Sequence, residues 1–182
     1  NNIIHGDLKL ENILLEKNGQ AKIADFGSAV KIDEPEHKLK STSGHTLIYI
    51  SPEQIYGKIK NQSNDIWALA LIIYEIYYLD LPWKNYNSVN DLMINILNLD
   101  IDLKSSDEKL NSLFRSMTIK NDYKDRFSSE QILKSEYCAD INWENVLENT
   151  NIPDILVNDQ IFHSPKQTNY IRGLTTDIEL TI

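Results

Sequence analysis

The sequence predicts a mainly α domain carrying one small β-hairpin, and three observations predict it. Two short β-prone runs, Ile13-Leu14-Leu15 and Ala21-Lys22-Ile23, bracket Asn18-Gly19, the dipeptide that a tight hairpin turn favours. The apolar run from Ile66 to Ile76 is too short to span a bilayer and carries Glu75, so it reads as a buried core helix. Three later stretches, Ser88 with Asp91, Ser105 with Glu108 and Ser128 with Gln131, have capping-box spacing and predict three more helix starts.

A chain of 182 residues with 41% hydrophobic and 25% charged residues is one domain's worth of ordinary globular composition. Its 27 acidic against 18 basic residues give a formal charge of −9, which argues against unaided binding to nucleic acid or an anionic membrane surface. A basic peptide is the expected charged partner. The single cysteine, Cys138, cannot form an internal disulfide, so a reducing compartment is expected: the cytoplasm, with the nucleus as the alternative. No run is long and apolar enough to suggest a transmembrane segment.

Ahead of the hairpin lies the polar loop His5-Gly6-Asp7-Leu8-Lys9-Leu10-Glu11-Asn12. Asp7, Lys9 and Asn12 are two and three positions apart, so a loop can aim a carboxylate, an ammonium and an amide at one point. A base, a cation and a metal-binding amide suit phosphoryl transfer. The loop resembles the protein-kinase catalytic loop H-R-D-L-x-x-x-N at His5, Asp7, Leu8 and Asn12, with Gly6 in the arginine's place and Lys9 as in serine/threonine kinases. Asp25-Phe26-Gly27 follows thirteen residues after Asn12, matching D-F-G, and Ser51-Pro52-Glu53 matches A-P-E.

The resemblance implies a fold and a set of roles. The fold would be a protein-kinase-like C-lobe with its β-hairpin next to the catalytic loop. Asp7 would accept the hydroxyl proton and Lys9 would neutralise the transferring phosphoryl group. Lys9, Glu11, Asn12 and Asp25 would contact ATP, with Asn12 and Asp25 holding Mg2+. Phe26 would pack inward and Gly27 would let the backbone turn sharply. The polar stretch from Ser28 to Ser51 would be the activation segment, with Thr42 as its phosphosite. Thr46, in a run similar to T-x-x-Y-x-[AS]-P-E with His45 in place of a glycine, would bond to Asp7 and Lys9.

Glu53 is expected to pair with a buried arginine, and Arg126 in Asp125-Arg126-Phe127 matches that partner. Asp65, in a run resembling D-x-W-x-x-G with Ala70 for the glycine, is expected to cap the central helix and hold the catalytic-loop backbone. Glu75 is expected to be an exposed helix glutamate, with recognition of a basic substrate residue as the alternative. Leu110, Leu113, Phe114 and Met117 recur at helical spacing and should form one core face.

Residues 1–138 are thus read as a partial kinase domain. Residues 139–158, with Ile141-Asn142-Trp143-Glu144-Asn145-Val146, look like an AGC-type extension most similar to phosphoinositide-dependent protein kinases. Residues 159–182, polar and rich in Asn and Thr, are expected to be a poorly ordered tail. The glycine-rich loop and strand lysine of the family's N-lobe are not found, and with Asn-Asn at its start the chain is expected to be a fragment lacking that lobe, inactive alone.

The function expected is a serine/threonine protein kinase moving the ATP γ-phosphate to a protein hydroxyl near basic residues. The alternative is a truncated pseudokinase or scaffold; retention of Asp7 and Asp25 argues against it. A nucleic-acid or metal-binding module finds no basic patch or ligand cluster.

Overall fold

The computed structural model of the chain describes residues 3–16, 19–32, 46–57 and 61–147. These described residues form two compact units, one drawn from positions 3–10 and 25–140 and one from positions 11–24 and 141–147.

The larger unit is helical. Its strands β1 (Ile3–Ile4) and β4 (Val30–Lys31) pair antiparallel, Ile3 against Lys31 and Ile4 against Val30. Two-residue strands carry no period, so the sequence gives no signal for this pair. Helix α1 (Pro52–Ile55) starts with Pro52 at its first turn, where a missing N–H costs nothing. Helix α2 (Gln62–Tyr78) is the expected core helix, with Trp67, Ala68, Ala70, Leu71, Ile72 and Tyr74 all buried.

Asp65 does not cap α2, contrary to expectation. The cap is Asn61, whose side chain accepts from the Ser63 N–H at 2.8 Å while Asn64 Oδ1 accepts from the Asn61 N–H at 2.8 Å. The helix therefore starts one turn earlier, because Asn61 and Asn64 complete a reciprocal box that frees Asp65 for another task.

Helix α3 (Val89–Asn98) is capped by Ser88, as expected. In α4 (Glu108–Met117) the cap is Asp107 rather than Ser105: its Oδ1 accepts from the Lys109 and Leu110 N–H groups at 2.9 and 3.2 Å. An anionic cap also suits the positive end of the helix dipole, and Ser105 Oγ accepts from the Asp107 N–H at 3.0 Å instead. Helix α5 (Ser129–Leu133) carries the full Ser128–Gln131 box.

The apolar stripe of α4 packs on α2. Ala70, Tyr74, Leu110, Leu113, Phe114 and Met117 form the core, flanked by Ile101, Leu103 and Phe127. Phe114→Ala would remove about 3–5 kcal/mol from this contact.

The smaller unit holds the expected hairpin, β2 (Ile13–Leu15) against β3 (Ala21–Ile23), in the register Ile13–Ile23 to Leu15–Ala21. Its loop is wider than a two-residue turn. The Gly19 N–H donates to Glu16 O at 2.8 Å and the Glu16 N–H to Gln20 O at 2.9 Å. Gly19 at φ 81° takes the left-handed position that closes such a loop. Helix α6 (Trp143–Leu147) belongs to the same unit. Residues 148–182, which include the expected tail and the end of the expected extension, lie outside the described residues.

Candidate active site

The loop that leaves β1 is held by one carboxylate. The N–H groups of His5 and Gly6 donate to Asp65 Oδ2 and Oδ1 at 2.7 and 2.9 Å. Gly6 sits at φ 75°, a conformation that a side chain would strain, and two successive amides there form a concavity for an anion. Asp65 fills it from the first turn of α2, so its expected hold on this backbone is observed although its expected cap is not.

Asp7 follows directly. Its N–H donates to His5 Nδ1 at 3.3 Å, and its Oδ2 lies 3.2 Å from Lys9 Nζ, with both side chains largely shielded from water. Asp7 and Lys9, expected to share one site, thus lie side by side. The His5 ring also meets Phe26 edge-on, with centroids 4.9 Å apart, which brings Asp25-Phe26-Gly27 beside the loop.

Two expectations for that triplet fail. Phe26 is 56% exposed rather than packed inward, because the tight turn of residues 26–28 leaves only its edge against His5. The sharp backbone conformation belongs to Asp25, at φ 57°, and not to Gly27. Gly27 serves by its lack of a side chain: its N–H donates to Asp25 Oδ1 at 3.3 Å, and an added Cβ would lie 3.1 Å from that oxygen.

The end of the expected activation segment is fixed on the same helix. Tyr49 donates a hydrogen bond from its hydroxyl to Glu75, which is only 5% exposed. Glu75 is therefore not the exposed helix glutamate expected; the phenol compensates its burial. Glu53 and Arg126 form the expected buried pair, bidentate at 2.7 Å from both guanidinium nitrogens to both carboxylate oxygens. Burial raises the Glu53 pKa, but the hydrogen bond and the charge of Arg126 outweigh it and hold the carboxyl below its ordinary value.

Arg126 is itself braced. Nε donates to Ile119 O at 2.8 Å, and the guanidinium lies 4.9 Å over the Trp67 ring, which stacks on Trp83. Asn64, which the sequence reading missed, donates from Nδ2 to Ser51 Oγ at 2.9 Å and Glu53 Oε1 at 2.5 Å. An asparagine directly before Asp65 at a helix start was the available signal.

In the smaller unit Asn12 is buried, its carbonyl accepting from the Ala24 N–H at 2.9 Å, while Glu11 is exposed. Thr42 lies outside the described residues, as does the Thr46 side chain; the Thr46 backbone opens the short turn Thr46–Tyr49.

The family described as the protein kinase domain matches residues 1–138. The chain belongs to this family. Among curated relatives it is 30% identical over 148 residues to the serine/threonine-protein kinase PKH3 of Eremothecium gossypii, covering 79% of this chain and 20% of that protein. It is 31% identical over 140 residues to the serine/threonine-protein kinase PAK 1 of Mus musculus, covering 75% and 25%. With Protein kinase C-like 1 of Caenorhabditis elegans it shares 40% identity over 98 residues, 54% of this chain and 14% of that one. The chain thus spans a quarter or less of the length of each of these three relatives. No helix among the described residues is long and apolar enough to cross a membrane.

Proposed function

We propose that these residues form the phosphoryl-transfer half of a serine/threonine protein kinase. The observation that carries the reading is the Asp7–Lys9 pair on a loop whose backbone is clamped by Asp65. Asp7 holds the substrate hydroxyl and accepts its proton; Lys9, 3.2 Å from it, neutralises charge on the transferring group. Fixed donors and charges of this kind lower a barrier because they need no rearrangement during reaction.

ATP and magnesium enter this reading through the family. Asp25 and Asn12 are hard oxygen donors, and magnesium takes few protein oxygens and keeps several waters, so this pair suits it better than a softer metal. Gly27 orients the Asp25 carboxylate through Oδ1. When bound, the metal would supply positive charge that neutralises the nucleotide phosphates.

The glycine-rich loop and strand lysine are assigned to other parts of the whole protein, since no two of the six glycines here are two residues apart. The chain by itself is accordingly proposed to be inactive. The protein acceptor is a serine or threonine near basic residues, in keeping with the formal charge of −9. An AGC-like, phosphoinositide-dependent branch is supported by the runs Tyr49-Ile50-Ser51-Pro52-Glu53, Asp65-Ile66-Trp67-Ala68-Leu69 and Ile141 to Val146.

The test supplies the whole protein with γ-labelled ATP and paired peptides that differ only in a serine, threonine or tyrosine acceptor. Label should enter the serine and threonine peptides, require magnesium, and need more magnesium after Asp25→Asn. Equal labelling of tyrosine, or transfer in excess chelator, would overturn the proposal.

A further inference from the structure

A cleft of about 780 Å3 lies in the larger unit, walled by Asp100, Ile101, Asp102 and Leu103 and by residues of a second stretch, among them Arg115, Ile119 and Lys120. The first wall is an extended segment between α3 and α4. Its exposure alternates residue by residue: Asp100, Asp102 and Lys104 are exposed, while Ile101 and Leu103 are half-buried against the core. Four successive residues with alternating side chains all line the cleft, so the cleft meets the edge of this segment and its main chain, not one face of it.

Among the described residues one side of that edge is unpaired. The Asp102 carbonyl accepts from the Tyr74 hydroxyl at 3.1 Å, which occupies one side of the segment. On the other side the N–H and C=O groups of Ile101 and Leu103 have no partner among the described residues. Main-chain groups two residues apart on an open edge are what an added strand binds.

Charge selects the occupant. Lys120 already donates to the Leu99 carbonyl and lies over the Trp83 ring, and Arg115 contacts Glu108 at 3.5 Å. The acidic side chains are exposed: Asp102 meets Lys104 at 3.6 Å through a contact worth little, and Asp100 shares its field with Lys120, whose ammonium is already held by the Leu99 carbonyl. We propose that this edge is a docking site for an extended segment of a partner protein, paired through the Ile101 and Leu103 main chain. Basic side chains would stand opposite Asp100 and Asp102, and apolar ones would lie toward Ile119. No residue of the Asp7 loop lines this cleft, and binding there needs no nucleotide.

The probe is a fluorescein-labelled peptide of alternating Lys and Val, titrated with the full chain and followed by anisotropy. Saturable binding is expected. N-methylating every second residue in one phase should abolish it, whereas the other phase should retain it, because only one set of N–H groups faces the edge. The surface substitutions Asp100→Lys and Asp102→Lys together should weaken it by about tenfold or more with unchanged circular dichroism. Equal effects of the two methylation phases, indifference to the charge reversal, or no binding at millimolar peptide would each overturn the proposal. So would self-association through the same edge without peptide binding, which would make a second copy the occupant. The methylated probes leave the protein untouched, so the result does not depend on how any variant folds.

Discussion

Glu53 and Arg126 stand 73 residues apart in the chain and close on each other in a bidentate pair with almost no water around it. Removing one partner leaves the other charge buried, so Glu53→Gln or Arg126→Met should each cost about 3–5 kcal/mol in chemical denaturation, and the double variant Glu53→Met/Arg126→Met distinctly less than their sum. The pH dependence has a definite sign. Because the native carboxyl lies below the ordinary glutamate value of 4.5, its contribution is complete above that pH and is lost as pH falls through the lower native value. The double variant should lose stability less steeply on the acid side. Gly6 makes the opposite kind of case, a backbone requirement: at φ 75° its replacement by alanine or arginine should cost about 1–2 kcal/mol, read by the same titration. Legibility divides along that line. The Glu53–Arg126 pair and the nearness of Asp7 to Lys9 could be picked out because short motifs fix their spacing. Glu75 and Phe26 were misjudged because burial depends on what a distant segment brings, and the Tyr49 hydroxyl that meets Glu75 comes from 26 residues away.

Helix positions were legible from periodicity, and their first residues only in part. The stripe Leu110, Leu113, Phe114 and Met117 is buried as its spacing demands. The caps of α2 and α4 shifted because several Ser, Asn and Asp residues compete at each start, and the reciprocal bonds that decide among them are set by the turn geometry. The competition has a measurable consequence. Asp107→Ala should destabilise the chain by about 1 kcal/mol, and Ser105→Ala by less, since only Asp107 satisfies helix amides. Reversed magnitudes would restore Ser105 as the cap. At the other end of α2, Leu79 is 71% exposed and sits at φ 52°, where glycine is favoured. Leu79→Gly should therefore raise the unfolding free energy by about 0.5–1 kcal/mol despite the added chain freedom; a loss of that size would show that the left-handed cap carries no strain.

For the whole molecule, the order of loop, hairpin and helical array could be read because each part has its own local signal. The β1–β4 pair could not, since two residues per strand make no pattern. The proposed division of labour, with phosphoryl transfer here and the phosphate-covering loop elsewhere, predicts that the 182 residues alone transfer no label from γ-labelled ATP to a serine peptide, and that the whole protein does. The central claim is that Asp7 serves the hydroxyl while Asp25 serves the metal. It is tested most directly by comparing Asp7→Asn with the unsubstituted whole protein in two assays, peptide phosphorylation and Mg-ATP binding. Transfer should fall by about a hundredfold or more, while the Mg-ATP dissociation constant should change by less than about twofold. Undiminished transfer by the Asp7 variant, or a loss fully accounted for by weakened nucleotide binding, would contradict it.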